Sequence, residues 1–176
     1  MSVIAADEIK RRILEEKLVE NYINLDTQLQ PAGFDLTVNV VGVFKTDGAV
    51  DFDNSCRKNS EIDWVEPYLT LDTKKPFWHL GPGVYAMMFN ERMNFPLDLM
   101  GDSFHRSSLM RCGVEVSYGR WDPGYCGMGR TLLIVHNPHG FTLYKDARVA
   151  QVKFFKVRGV KKGYNGQYQG EGKKTS

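Results

Sequence analysis

The sequence predicts a mainly β fold, a β-barrel or jelly roll with one short N-terminal helix. Three observations predict it. Short apolar runs recur with a period of two and are rich in β-branched residues, as where Leu36, Val38 and Val40 alternate with Thr37 and Asn39. Turn clusters separate the runs, among them Thr46-Asp47-Gly48, Gly81-Pro82-Gly83 and Asp122-Pro123-Gly124. Helical spacing stands out only near the N-terminus. Many short strands with little helix are what closed or double-sheet β architectures produce.

Asp7 to Leu18, with bounds near 6–19, reads as the helix. Ile9, Ile13 and Leu14 share one face, Lys10, Arg11 and Glu15 the other. Glu8 and Arg12 form an i, i+4 pair worth a few tenths of a kcal/mol. After Pro31 the period changes to two, and strands are expected at 36–40, 84–89, 114–118, 131–136, 141–144 and 149–157. The stretch from Asp53 to Pro76 is polar and weakly patterned, and reads as an excursion from the barrel with one strand near 61–71. From Gly159 the composition turns to Gly, Lys, Tyr and Gln with almost no aliphatic residues. Such a segment cannot bury a core. Residues 1–158 therefore read as a single barrel domain and 159–176 as a flexible Gly/Tyr-rich tail, whose spacing suits a segment that closes over a ligand.

Composition bounds the function classes. The chain has 176 residues and a mass of 20.1 kDa, the size of one domain. It can bury roughly 70% of its unfolded surface and needs no staple. Lys plus Arg is 23 against 21 for Asp plus Glu, a net of +2, which argues against nucleic acid as a partner. Apolar runs are far too short for a membrane span, so no membrane partner is expected. MSVIAADEIKRR lacks the apolar core of a signal peptide. Cys56, Cys112 and Cys126 are odd in number and form no CxxC pair, which fits a reducing, cytoplasmic setting. His136 and His139 are split by Asn137-Pro138 with no third ligand type nearby, so zinc is not expected. A phosphate-binding glycine loop ending in Lys-Ser/Thr is missing too.

Four segments carry candidate chemistry. Pro31-Ala32-Gly33-Phe34-Asp35-Leu36 delivers an acid at the start of a strand; taken alone, Asp35 reads as a turn or cap acid. His105-Arg106-Ser107-Ser108-Leu109-Met110-Arg111 sets two arginines around two hydroxyls, chemistry suited to oxyanions, although a capped helix with solvated arginines explains it equally. Gly119-Arg120-Trp121-Asp122-Pro123-Gly124-Tyr125-Cys126-Gly127 is a tight hairpin with an acid and a tyrosine near its tip, which by itself reads as a β-turn. Asp146-Ala147-Arg148-Val149-Ala150-Gln151 is a polar turn entering a strand.

The order of these segments resembles the dUTPase and dCTP deaminase superfamily. Ala32-Gly33-Phe34-Asp35-Leu36 is similar to its AG-aromatic-DL motif, and Arg106-Ser107-Ser108-Leu109 to its second motif. Gly119, Asp122, Tyr125 and Gly127 match the third, and Arg148-Val149-Ala150-Gln151 the fourth. The tail with Tyr164, Tyr168 and Gln169 stands where the family places its closing segment. The likeness covers about residues 5–170 and implies a distorted jelly-roll barrel and a homotrimer. The N-terminal helix, RSSLMR and the YQG tail resemble the dCTP deaminase branch. That branch's deaminases carry a glutamate on the strand after the third motif. Here no acid occurs from Pro123 to Lys145, and Ile134 aligns with it. A proton-transfer agent for deamination is then missing, and the archaeal-type dUTPases of the same branch become the leading reading.

The resemblance implies hydrolysis of dUTP to dUMP and pyrophosphate. Asp122 would deprotonate the water that attacks the α-phosphorus, an ordinary carboxylate being ionised at neutral pH. Arg106, Ser107, Ser108, Arg111 and Gln151 would bind phosphates. Mg²⁺ would be held by triphosphate oxygens and waters, and Asp35 would anchor that hydrated ion or the active-site water. Tyr125 would lie under the deoxyribose, the backbone of 117–121 with Gly119 and Trp121 would read uracil, and Tyr164, Tyr168 and Gln169 would close over the nucleotide. The alternatives are a dCTP deaminase, a bifunctional enzyme, or a non-catalytic nucleotide-binding protein.

Overall fold

The computed structural model describes residues 2–70, 72 and 74–172. In chain order its elements are α1 (Ala6–Glu16), β1 (Val19–Glu20), α2 (Leu25–Gln28), β2 (Leu29–Gln30), β3 (Gly33–Phe44), β4 (Ile62–Val65), β5 (Phe77–Leu80), β6 (Gly83–Asn94), β7 (Leu99–His105), α3 (Ser107–Arg111), β8 (Val114–Ser117), β9 (Cys126–Val135), β10 (Phe141–Tyr144) and β11 (Arg148–Lys156). The expected mainly β architecture is present, and each expected strand is found.

Strand β3 organises the rest. Its side chains Phe34, Leu36 and Val38 are wholly buried, and it pairs with β11 on one side and β6 on the other. The main sheet runs β7-β11-β3-β6-β9-β8, with β1, β2 and β4 paired at its margins and every pairing antiparallel. Strands β5 and β10 form a separate ribbon. The core joins Phe34 and Leu36 to Met87 and Phe89 of β6, Leu133 of β9 and Phe154 of β11. Each such fully buried side chain contributes roughly 1.5–3 kcal/mol from removal of apolar surface.

Helix α1 buries Ile9 and Ile13 as the periodicity predicts. It stops at Glu16 rather than 18 because Lys17 takes a left-handed conformation (φ 55°) that turns Leu18 into the core. Arg12 is also buried, which the pattern did not announce. It holds Glu8 and Glu16 on its own helix and reaches Asp98 Oδ2 at 2.6 Å.

Strands β5 and β7 were not foreseen. The Phe77–Leu80 run is four residues between Pro76 and Gly81, too short to show a period, and Trp78 anchors it by donating Nε1–H to the Val65 carbonyl at 2.7 Å. Strand β7 contains Gly101 and Asp102, both poor strand formers, but lies against β11 over seven paired residues. Tertiary pairing overrides local preference there. The strand expected near 61–71 is β4, followed by an isolated Tyr68–Phe77 bridge; position 71 lies outside the described residues, as do 173–176 of the tail.

Three register shifts meet in one place. Asn39 is extra on β3 against β6, Val149 is extra on β11 against β3, and residues 89–91 of β6 oppose a single residue of β9. Bulges re-aim side chains, and these three surround Thr37, Asn90 and Glu91.

Candidate active site

The sheet brings the first and fourth motifs together. Asp35 on β3 lies opposite Gln151 on β11, so both side chains leave the same face. The Asp35 carboxylate is almost fully buried. Its Oδ1 accepts from Gln151 Nε2 at 3.1 Å, and Oδ2 lies 3.1 Å from Arg148 Nη1 and 3.2 Å from Arg106 Nε. Arg106 arrives from the residue before α3. Both arginines are partly open to solvent, at 32% side-chain exposure, while Asp35 is at 1%. One carboxylate behind two guanidiniums leaves a positive face, the arrangement that oxyanions bind. Helix α2 roofs the cluster, since Arg148 Nη1 also donates to the Thr27 carbonyl at 2.9 Å and Gln28 Nε2 to the Asp35 carbonyl at 2.8 Å. Ser107 and Ser108 are exposed on the first turn of α3. Arg111 folds back, its Nη1 donating to the Ser107 carbonyl at 3.1 Å.

The third motif builds a second centre. Residues 118–125 turn the chain from β8 into β9 around a cavity of about 390 Å³ lined by Tyr118, Asp122, Tyr125, Arg130, Tyr164 and Glu171 among others. Gly119 lines it too, and space for a side chain is open there. A second chamber of about 600 Å³ adjoins it along Tyr118, Gly119 and Arg130, and runs out beneath residues 48–62. Asp122 is exposed at the rim. Trp121 is a core residue whose ring edge reaches the cavity: it is 6% exposed, stacks on Phe95, and donates Nε1–H to Ser103 Oγ at 2.7 Å. Tyr125 meets Trp121 and Tyr164 edge to face, each at 5.6 Å. Burial raises the Tyr118 and Tyr125 hydroxyls above the usual phenol range, so both stay neutral. Thr131 Oγ1 donates to the Ser117 carbonyl, which takes that group away from any base-reading edge. The carbonyls and amides of 118–120 keep theirs.

The described tail lies on this hairpin. Tyr164 N–H donates to the Pro123 carbonyl at 2.7 Å and Gly170 N–H to the Cys126 carbonyl at 2.7 Å. Gln169 bonds at both ends, and Tyr168 Oη donates to Asn59 Oδ1 at 3.1 Å. Gly124 sits at φ 83°, and a Cβ there would lie 2.7 Å from the Cα of Gly163. Only glycine allows tail and hairpin to approach so closely.

Tyr164, Tyr168, Tyr125, Gly119 and Asp122 therefore share one cavity, with Gln169 against its hairpin. Asp35, Arg106, Arg148 and Gln151 form the other centre, with Ser107, Ser108 and Arg111 beside it. Neither cavity is lined by any member of that second group. Strand β7 spans the gap: Gly101 bridges Trp121 and Phe104 faces Gln151, three residues or about 10 Å apart. Sequence reasoning missed Tyr118, Arg130 and Glu171. Glu171 Oε1 lies 3.1 Å from Arg130 Nη2, and burial pushes its carboxyl above the usual range against the pull of that arginine. Arg130 also lies over the Trp64 ring at 5.6 Å. A lone glutamate in a glycine tail carries no motif, and it becomes visible only when the tail docks.

No group of three or more His, Cys, Asp or Glu among the described residues is arranged to hold a metal ion. The oxygens of Asp35 are engaged by nitrogen donors, and the acid that shares the cavity of Asp122, Glu171, is paired with Arg130. This donor set fits a hydrated cation carried by its own phosphate ligands rather than a protein cage. No helix among the described residues is long and apolar enough to cross a membrane.

A family model described as dCTP deaminase-like matches residues 3–157. A "probable deoxyuridine 5′-triphosphate nucleotidohydrolase" of Methanococcoides burtonii is 42% identical over 174 residues, covering 97% of this chain and 99% of the relative. A deoxyuridine 5′-triphosphate nucleotidohydrolase of Methanocaldococcus jannaschii is 34% identical over 147 residues, 82% of this chain and 89% of the relative. Among solved structures, 2′-deoxycytidine 5′-triphosphate deaminase from Agrobacterium tumefaciens superposes with a TM-score of 0.61 at 16% identity, covering 88% of this chain and 48% of that one. That likeness speaks for the fold.

Proposed function

The chain belongs to the dCTP deaminase-like family, and within it we propose that it is a dUTP diphosphatase, a hydrolase that converts dUTP to dUMP and pyrophosphate. The observation that carries this reading is the division of labour between the two centres. An aromatic-walled cavity with Asp122 exposed at its rim and the Arg130–Glu171 pair in its wall suits a nucleoside and an attacking water. A separate pair of arginines held by Asp35 suits the phosphates.

Asp122 is the general base. It accepts the proton of the water that adds to the α-phosphorus, and pyrophosphate leaves with the electron pair of the broken P–O bond. Tyr125 takes the deoxyribose face and excludes a 2′-hydroxyl. The free backbone of 118–120 pairs with the uracil edge, and a mismatched base leaves polar groups unpaired once the nucleotide covers them. Arg106, Arg148 and Gln151, with Ser107, Ser108 and Arg111, take the phosphate charge. Asp35 acts by orienting these donors. Mg²⁺, held by triphosphate oxygens and water, would neutralise phosphate charge when bound. Tyr164, Tyr168 and Gln169 keep bulk water out.

A homotrimer is consistent with the same division. One chain's nucleoside cavity would receive the phosphate cluster of a neighbour, which brings together the motifs that a single chain holds apart. The three free cysteines support a reducing, cytoplasmic setting.

Deamination of dCTP has one observation in its favour. Glu171 brings to the cavity the carboxylate that β9 lacks. Purified protein with Mg²⁺ is to be given dUTP and dCTP separately, and pyrophosphate and ammonia assayed. Pyrophosphate from dUTP without ammonia from dCTP is the expected result. Ammonia at a comparable rate would replace this reading with the deaminase one.

A further inference from the structure

Behind the phosphate-side cluster lies a carboxylate that its surroundings do not explain. Glu91 is fully buried on β6 among Met87, Phe89 and Met93. No Lys, Arg or His among the described residues lies within ion-pair distance of it. Three donors converge on it instead: Thr37 N–H on Oε2 at 2.9 Å, Thr37 Oγ1 on Oε1 at 2.6 Å, and Gln28 Nε2 on Oε1 at 2.7 Å. Burying an acid is costly. An apolar residue like its neighbours would fill the space at less expense, so what matters is what Glu91 holds.

It holds the backbone around Asp35. Gln28 is 2% exposed and all of its hydrogen-bonding directions are used. Its Oε1 accepts from Ile23 N–H at 2.7 Å and Asn24 N–H at 2.9 Å, and its Nε2 donates to Glu91 and to the Asp35 carbonyl. Its amide therefore cannot flip without losing all four bonds. Thr37 stands two residues from Asp35 on the same face of β3, and Asn90 Nδ2 steadies its Oγ1 at 2.9 Å while also bonding Asp146 Oδ1. The three register shifts of the sheet bring these residues to one point.

We propose that Glu91 is a positioning residue for phosphate recognition: through Gln28 and Thr37 it fixes Asp35, and through Asp35 the arginines that receive the substrate's phosphates. The inference rests on the diphosphatase reading for its substrate, but not on turnover. Desolvation by burial raises the carboxyl of Glu91 above the usual carboxylate range, and the Thr37 and Gln28 donors oppose that rise. Besides these donors, the charged groups around the network include Asp35 with its partners Arg106 and Arg148, and, beyond Asn90, Asp146 with Lys145.

Glutamine at 91 cannot replace the acid. One end of its amide would set an N–H against Thr37 N–H or against the Gln28 amide, and neither can turn away. The test compares wild type, Glu91→Gln, Gln28→Ala and the double variant by calorimetric binding of two probes, pyrophosphate with Mg²⁺ and deoxyuridine. Glu91→Gln and Gln28→Ala should each weaken pyrophosphate about tenfold and leave deoxyuridine within twofold. The double variant should lose no more than the stronger single one, because both break the same link. If Glu91→Gln fails to fold, Gln28→Ala carries the same comparison. Equal loss of both probes, unchanged pyrophosphate binding, or a wild type that does not bind pyrophosphate would each overturn the proposal. A wild type that binds pyrophosphate but leaves dUTP intact would sink the diphosphatase reading and leave this one standing.

Discussion

Gln169 meets Cys126 as a neighbouring strand would. Its Oε1 accepts the Cys126 N–H at 2.8 Å while its Nε2 donates to the Gly124 carbonyl at 2.8 Å. One side chain thus satisfies both polarities of the hairpin that carries Asp122 and Tyr125 and ties the tail to it. Gln169→Ala removes both bonds. At about 1 kcal/mol each, the seated fraction of the tail should fall roughly tenfold or more. Turnover of dUTP should drop by a similar factor with the melting temperature nearly unchanged, and protease should cut near 160–170 faster. A variant that melts earlier but turns over normally would make Gln169 a structural residue only.

Among the described residues the Asp122 side chain has no hydrogen-bond or ion-pair partner, so its substitution tests chemistry with little structural cost. Asp122→Asn keeps size and hydrogen bonding but cannot accept a proton at neutral pH. Turnover should fall by two to four orders of magnitude, as for loss of a general base. Binding of a non-hydrolysable dUTP analogue should stay within a few-fold. Turnover within tenfold of wild type would take the role of base away from Asp122.

These two residues mark what the chain discloses before it folds. The hairpin was legible because Asp-Pro-Gly and the flanking glycines are local turn chemistry, and Arg106, Arg148 and Gln151 because they sit in ordered motifs. Strand alternation placed the core, with Phe34, Leu36 and Val38 buried as the period required. Glu91 and Arg12 were not legible. Each is a charged side chain on a buried face, where the pattern predicts apolar residues, and each has a partner far along the chain that local sequence does not announce: Thr37, 54 positions away, and Asp98, 86 away. Glu171 was hidden because its partner, Arg130, meets it only where the tail lies on the hairpin. Strand β7 was hidden because its pairing with β11, not its composition, makes it a strand.

Arg148 carries a structural load as well as its proposed phosphate role. Arg148→Met would leave Asp35 buried with Arg106 and Gln151 as partners and would free the Thr27 carbonyl. Breaking a fully buried pair costs about 3–5 kcal/mol, and the partial exposure of Arg148 brings this to about 1–3 kcal/mol. The melting temperature should fall by about 2–12 °C at this chain length. Restoring it with a second change, Asp35→Asn, would identify the unpaired acid as the cause. A Tm equal to wild type in the single variant would show that Asp35 does not depend on Arg148.

Acid stability should report the Arg12 cluster. Arg11 and Arg12 hold the Glu8 carboxyl down to about 2, and Arg12 holds Asp98 below the usual carboxylate range. Both acids thus bind protons more readily unfolded than folded. Their contribution is complete above their unfolded pKa, near 4 to 4.5, and is lost as pH falls through the folded values. Arg12→Met should lower stability at pH 7, and the gap to wild type should close between pH 4.5 and pH 2. Denaturant midpoints measured across that range give the curve. A gap that stays constant with pH would assign the effect to lost packing of the Arg12 stem.

Gly129 links core packing to the nucleoside cavity. A Cβ at this position would overlap the far edge of the Trp121 ring, which Phe95 stacking and the Ser103 bond hold in place. Trp121 in turn braces Tyr125, the proposed sugar platform. Gly129→Ala should therefore cost about 1–3 kcal/mol through overpacking and also weaken deoxyuridine binding several-fold. Because the clash is with the larger lobe of an indole, Trp121→Phe should absorb it. The double variant should then be more stable than the sum of the single losses predicts, by at least 0.5 kcal/mol. Additive losses in a calorimetric double-mutant cycle would show that the methyl group is accommodated elsewhere and that Gly129 does not set the position of Trp121.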